Sequence, residues 1–171
     1  MQALVAAILA VVTIAFTPTG TPIYSPHFRD APGGAEHRAE ELASSFIFAE
    51  EVYGVDAYLL AALAFRESSL NADAIGTQGE FSILQLHPRS RWGRAAHTLC
   101  KGAEASCERT AVLEAARLLA LGVKECGSEA RAVGFYRTGH CTEGVGAEPV
   151  LSLRVRMLAH VGQATNESED K

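Results

Sequence analysis

Clusters of basic residues are missing from this chain, and its formal charge is −5 at pH 7. A nucleic-acid binder would carry a stripe of Lys or Arg along one face, so the composition argues against that class. No Cys-x-x-Cys pair is present, which argues against a redox motif. The absence of His-Glu-x-x-His argues against a zinc-dependent hydrolase. There is no internal repeat and no low-complexity tract. What remains is 171 residues, 48% hydrophobic and 20% charged, enough for one domain with a single core.

The N-terminal segment also lacks charge. No charged side chain occurs from Met1 to Pro26, and Ala3 to Phe16 is a 14-residue apolar run interrupted only by Thr13. A spanning helix needs about 17–25 apolar residues, so the run has the length of a signal-peptide core instead. No Lys or Arg precedes it, and Thr13-Ile14-Ala15 is only a passable cleavage site. The expectation is an export signal over residues 1–16, or, if uncleaved, a short membrane tether. In either case Leu4 and Val5 would lie outside the mature fold. A buried helix of the domain is the alternative. Pro18, Pro22, Pro26 and Pro32 then make 17–34 a linker or irregular arm.

The four cysteines, Cys100, Cys107, Cys126 and Cys141, are separated by six, eighteen and fourteen residues. Structural zinc sites usually pair ligands two to four residues apart, so these spacings favour disulfides behind an export signal. Three connectivities are possible. Closing local loops selects Cys100–Cys107 and Cys126–Cys141, with four free thiols as the alternative.

The rest of the chain has mostly helical period. Ala39, Leu42, Ala43, Phe46 and Ile47 predict an amphipathic helix over 35–53, stopped by Gly54. Asp56 is placed to N-cap a second helix, 57–68. Further helices are predicted over 108–124, 129–137 and 149–161, the last with Pro149 in its first turn. The polar tail 163–171 is expected to fray. Between the second and third helices, residues 71–88 carry Gly76, Gly79 and the apolar Phe81, Ile83, Leu84 and Leu86. This composition predicts a loop or a small strand pair, the kind of segment in which sites are often built. The fold class is mainly α with a small irregular or β-like lobe, the domain proper covering 35–162.

One residue is out of place. Leu60, Leu63, Ala64 and Glu67 fall at i, i+3, i+4 and i+7, so an apolar stripe ends in a carboxylate, with Arg66 rotated away from it. Glu is almost never fully buried without a partner. Desolvation and the negative end of the helix dipole would both raise its pKa, suiting it to donate a proton near neutral pH. A structural ion pair with a nearby Arg, or a solvated helix end, is the competing reading of this residue taken alone.

Its surroundings decide between them. Tyr53-Gly54-Val55-Asp56, Leu59-Leu60-Ala61 and Arg66-Glu67-Ser68-Ser69-Leu70-Asn71 resemble the soluble-type lytic transglycosylases, within the wider goose-type lysozyme-like fold. The family pattern A-x-S-x-x-G-A-x-G-L-M-Q-[LI]-x-P has its counterpart in residues Ala74 to Pro88, and A-x-x-x-Y-N-A-G in Ala132 to Gly139. The resemblance spans about 35–159 and is unbroken from Tyr53 to Pro88. It implies that Glu67 protonates the oxygen between N-acetylmuramic acid and N-acetylglucosamine. The resulting carboxylate would then deprotonate the muramoyl C6 hydroxyl, which closes onto C1 as a 1,6-anhydro ring. Gln85 is implied to contact substrate, Tyr136 to contact the acid, and Ser68 to hydrogen-bond at the helix end beside it.

Three positions depart from the pattern. The family Ser of A-x-S is Gly76, the Gly before L-M-Q is Ser82, and the Asn of Y-N-A-G is Arg137. None is expected to touch the acid. Ser82 is a candidate to replace, as a substrate contact, the hydroxyl lost at Gly76. Glu80 is expected to be a solvated rim residue, with a second catalytic carboxylate as its alternative. His87 falls nearest the cleft, and Trp92 is expected to pack in the core or stack on a sugar.

The resemblance implies peptidoglycan glycan strands as the partner, no cofactor and no metal, and a periplasmic or cell-surface location. The net negative charge gives no long-range attraction to an anionic polymer. Small members also serve secretion, conjugation or phage machinery. Two other functions stand beside this one: a lysozyme-type muramidase of the same fold, and a non-catalytic wall-binding module.

Overall fold

The computed structural model describes residues 1–99, 104–142 and 146–169. In chain order the elements are α1 (Gln2–Val12), β1 (Thr13–Phe16), β2 (Pro22–Tyr24), α2 (Pro26–Arg29), α3 (Gly34–Tyr53) and α4 (Ala57–Ser68). They continue with α5 (Arg91–Leu99), α6 (Glu104–Cys126), α7 (Glu129–Thr138) and α8 (Ala147–Glu169). The architecture is mainly α, as the periodicity predicts.

Helix α4 is the centre of the molecule. Leu59 to Ala64 are all buried, because α1, α3 and α8 surround the helix. A helix apolar on every side can be stable only in such a position. Asp56 caps it as expected, with its Oδ1 accepting the Leu59 N–H at 2.7 Å. The same carboxylate also accepts from Arg154 of α8, which reaches Glu129 of α7 at 2.7 Å. One guanidinium therefore ties three helices together. Arg38 of α3 and Glu108 of α6 form a second cross-link, with both nitrogens donating to the two carboxylate oxygens. Such a buried pair fixes register more surely than it adds stability.

The N-terminal segment packs onto the domain. In this structure residues 1–16 are not outside the fold: Leu4, Ala7, Ile8 and Val12 are buried, and Val5 packs against the core. The apolar run has no polar face to present to water, and α3, α4 and α8 offer it a complementary surface. No helix among the described residues is long and apolar enough to cross a membrane. Residues 17–34 lie on the domain as an arm. Thr13–Phe16 pairs antiparallel with Pro22–Tyr24, with an irregularity between Thr13 and Ala15, and Phe28 is fully buried. His27 Nε2 donates to the Ser69 carbonyl at 2.7 Å, pinning this arm to the end of α4.

Elsewhere the differences are smaller. Helix α5 lies in a stretch for which the sequence predicts no element; it is short and carries Gly93, a poor helix former. Gly93 allows a close approach, since a Cβ there would strike the His87 carbonyl. Helix α8 runs on to Glu169, through the tail expected to fray. Residues 71–88 form an irregular lobe with two isolated antiparallel bridges, Ile75 to Phe81 and Phe81 to Leu86. The two-stranded sheet lies instead at the N-terminus.

Cys126 and Cys141 form a disulfide that joins the end of α6 to the segment after α7, as expected. Cys107 is also disulfide-bonded, and its expected partner Cys100 lies outside the described residues.

Candidate active site

A cleft of about 730 Å³ opens where the last turn of α4, the 71–88 lobe and the second half of α7 meet. Glu67 lies on its α4 wall. Gly76, Thr77, Gln78, Glu80 and Gln85 to His87 form the lobe wall, and Phe135 to Gly139 the α7 wall. Arg91 and Leu118 complete it from α5 and α6. The sequence-predicted Glu67, Gln85 and Tyr136 are thus brought together from three elements.

The lobe is an irregular segment with a buried interior, so its backbone must find partners. Ser68 Oγ donates to the Ile83 carbonyl at 2.8 Å, and Tyr136 Oη to the Leu84 carbonyl at 2.6 Å. Gln85 Nε2 donates to the carbonyls of Ala74 and Ser82, both at 2.9 Å. Side chains from both flanking helices and from the lobe itself therefore hold its shape. That shape is strained. Ser69, Leu70, Ser82 and Gln85 all have left-handed backbone, with φ of 56°, 62°, 68° and 47°. Each such non-glycine residue costs about 1–2 kcal/mol, and such strain clusters at functional sites.

Glu67 is partly buried, with 14% of its side chain exposed. Its Oε1 is buried without a hydrogen-bond partner. Burial raises its pKa, against the lowering influence of Arg137 and Arg66, while Glu80 adds to the rise. Desolvation wins, and the carboxyl holds its proton more tightly than an ordinary Glu. Tyr136 is also pushed well up by burial and by the charge of Glu67, so its phenol remains a donor. That donor serves Leu84 rather than Glu67. The implied contact between tyrosine and acid is therefore one of electrostatic proximity, without a hydrogen bond.

Glu80 has the opposite environment. Its carboxylate accepts the Gln78 N–H at 2.9 Å, and backbone hydrogen bonds hold its pKa down. It is a rim residue in that its charge faces water, yet it also lines the cleft. Gly76 explains how it fits. A Cβ at Gly76 would strike Glu80 Oε2 and come within 2.8 Å of Gln85 Oε1. The small residue at 76 and the acid at 80 are one arrangement.

The other candidates are placed as follows. Ser82 is 5% exposed, and its Oγ accepts the Leu84 N–H at 3.4 Å. It does not line the cleft, so its position does not support a substrate contact. Ser68 serves the helix end, also donating to Ala64 at 3.2 Å. His87 lines the cleft, and its Nδ1 accepts from Arg89 at 3.1 Å. Trp92 belongs to α5, and its side chain lies outside the described part of the structure. Among the described residues no cluster of His, Cys, Asp and Glu suits a metal ion.

Sequence reasoning missed Arg137. Its Nε stands 3.2 Å from Glu67 Oε1, so this departure does touch the acid. The signal was a positive charge in a motif position where the resemblance expects Asn, one residue after Tyr136. The contact lacks hydrogen-bond alignment, which is why Oε1 still counts as unsatisfied.

A helical domain with a partly buried glutamic acid at the end of its central helix, beside an open polar cleft, is consistent with a lysozyme-like fold. The family model described as Transglycosylase SLT domain matches residues 44–144, well over half of the chain. The chain belongs to this family, that of the soluble lytic transglycosylases, whose substrate is peptidoglycan. No curated protein and no solved structure matches it.

Proposed function

We propose that this protein cleaves the β-1,4 bond between N-acetylmuramic acid and N-acetylglucosamine, leaving a 1,6-anhydro end, with Glu67 as the general acid and base. Glu67 gives its proton to the bridging oxygen as the bond from C1 breaks. The Glu67 carboxylate then takes the proton of the muramoyl C6 hydroxyl, whose oxygen bonds to C1. The proton returns to the same carboxyl, so atoms and charge balance without added water. The observation that carries this reading is the buried Oε1 of Glu67, facing a cleft and shifted toward its protonated form. Substrate would enter between the lobe and α7, within reach of Gln85. Action on peptidoglycan calls for export to the periplasm or cell surface.

Glu80 favours a second reading. A cleft with one carboxyl raised and another lowered resembles the division of labour in two-carboxylate glycosidases. With a water activated by Glu80, the same site would be a hydrolase leaving reducing ends.

Mass spectrometry of soluble products from sacculi separates these readings. Wild-type protein should release anhydro-muropeptides, and Glu67→Gln should cut the rate by about 10²–10⁴ with the fold intact. Reducing muropeptides would make the protein a muramidase. Wall binding with no product from either protein would indicate a non-catalytic module.

A further inference from the structure

Arg137 lies across the mouth of the site with 41% of its side chain exposed, while its Nε rests 3.2 Å from Glu67 Oε1. It has this room because residue 146 is glycine: a Cβ there would overlap Arg137 Nη1. The pair is unlike the other inter-helix ion pairs of the protein. Arg38 and Arg154 hold their partners through paired, aligned hydrogen bonds, whereas Arg137 approaches Glu67 without alignment and leaves Oε1 unsatisfied. Oε1 thus has a charge beside it but no aligned donor, so this contact is a resting state open to exchange.

The guanidinium also opposes the proposed chemistry. A positive charge beside Oε1 favours the carboxylate and holds the Glu67 pKa below the level that burial alone would set. The remaining charged groups acting on Glu67 are Arg66 on its own helix and Glu80 on the lobe. Arg66 is exposed and does not line the cleft, and Glu80 is held by the Gln78 N–H. Arg137 is the long, half-exposed side chain that a ligand in the cleft could draw away, and it is built to chelate a planar anion.

We propose that Arg137 is a specificity-determining gate, in which a carboxylate carried by the glycan draws the guanidinium off Glu67 and so arms the acid. The inference rests on the reading of Glu67 as a general acid. A strand bearing carboxylates would take the place of Oε1 on the guanidinium, and the Glu67 protonation equilibrium with bulk solvent would shift toward the acid, the strand's carboxylate now balancing the charge of Arg137. A neutral glycan offers Arg137 nothing, and Glu67 stays paired. Recognition of the acidic substituent and activation of the acid then become one event. The carboxylate has two sources in peptidoglycan, the lactyl ether of muramic acid and the stem peptide.

Two measurements test this. Carbon-13 NMR titration follows the Glu67 carboxyl in wild-type protein, Arg137→Gln and Arg137→Lys, with Glu67→Gln assigning the signal. Adding a GlcNAc–MurNAc disaccharide with a free lactyl carboxylate, or one carrying a stem peptide, should raise the wild-type midpoint. A neutral N-acetylglucosamine oligomer should not. In Arg137→Gln the midpoint should already be high and indifferent to either ligand, and Arg137→Lys should restore part of the response. Whichever carboxylated disaccharide moves the midpoint identifies the source. In parallel, kcat/KM on glycan strands with free carboxylates relative to strands with amidated carboxylates should fall about tenfold in Arg137→Gln, the worth of one charged hydrogen bond.

A wild-type midpoint that ignores both carboxylates, or an unchanged preference in Arg137→Gln, overturns the gate. Wall cleavage by Glu67→Gln would instead overturn the general-acid reading. The titration distinguishes the two failures because it needs no turnover.

Discussion

At the scale of single residues, the site is made of side chains placed against their usual preferences. Glu67 is a carboxyl on an otherwise buried helix, and Ser82 and Gln85 occupy backbone conformations that favour glycine. Ser82 shows how such a departure is tolerated. Its side chain is enclosed and only weakly bonded, so the strain of φ 68° has little local return. Ser82→Gly should therefore stabilise the protein by about 0.5–1 kcal/mol, the relief of left-handed strain less the added freedom of the unfolded chain. Its rate on sacculi should stay near that of wild type. A large loss of rate with unchanged melting would return Ser82 to the substrate site. Gly76 and Glu80 make the complementary case, in which one residue gives up its side chain to admit another.

At the scale of elements, α4 is legible throughout in the sequence. Its span, its Asp56 cap and its stop near Ser68 all follow from local chemistry. Helix α1 is different, because its apolar run has the length of a leader and is also compatible with a core helix. Local sequence has no term that distinguishes them, and only the surface offered by α3, α4 and α8 places it. Ile8→Ala tests that placement in the full-length protein. If α1 is part of the stable domain, the substitution should cost about 2–5 kcal/mol in chemical denaturation. Unchanged stability would mean that α1 lies outside the cooperative fold.

At the scale of the whole molecule, the burial of Glu67 links its proton to folding. Its folded pKa lies above the unfolded value, so the native state binds the extra proton between the two. Stability from this group is present below the unfolded pKa and is lost as pH rises through the folded one. Glu67→Gln, a neutral shape mimic, should therefore raise Tm relative to wild type at pH 7 and have little effect at pH 4. Equal shifts at both pH values would show that the carboxyl is not held in its protonated form. On the proposed mechanism activity should follow the same sign, falling as pH rises and the acid form is lost.

The sequence by itself determined the helical class, the extent of the central helix and the position of Glu67 at its end. These depend on periodicity, caps and glycine stops, which act over a few residues. It also anticipated the disulfide between Cys126 and Cys141, because the shorter loop is the easier one to close. Tertiary structure alone decided that α1 is packed inside, that Ser82 faces away from the cleft, and that Glu80 fills the space beside Gly76. It alone brought Arg137 onto Glu67, seventy residues away in the chain. Charge and excluded volume act through space, and no spacing along the chain encodes which side chains will share a cleft.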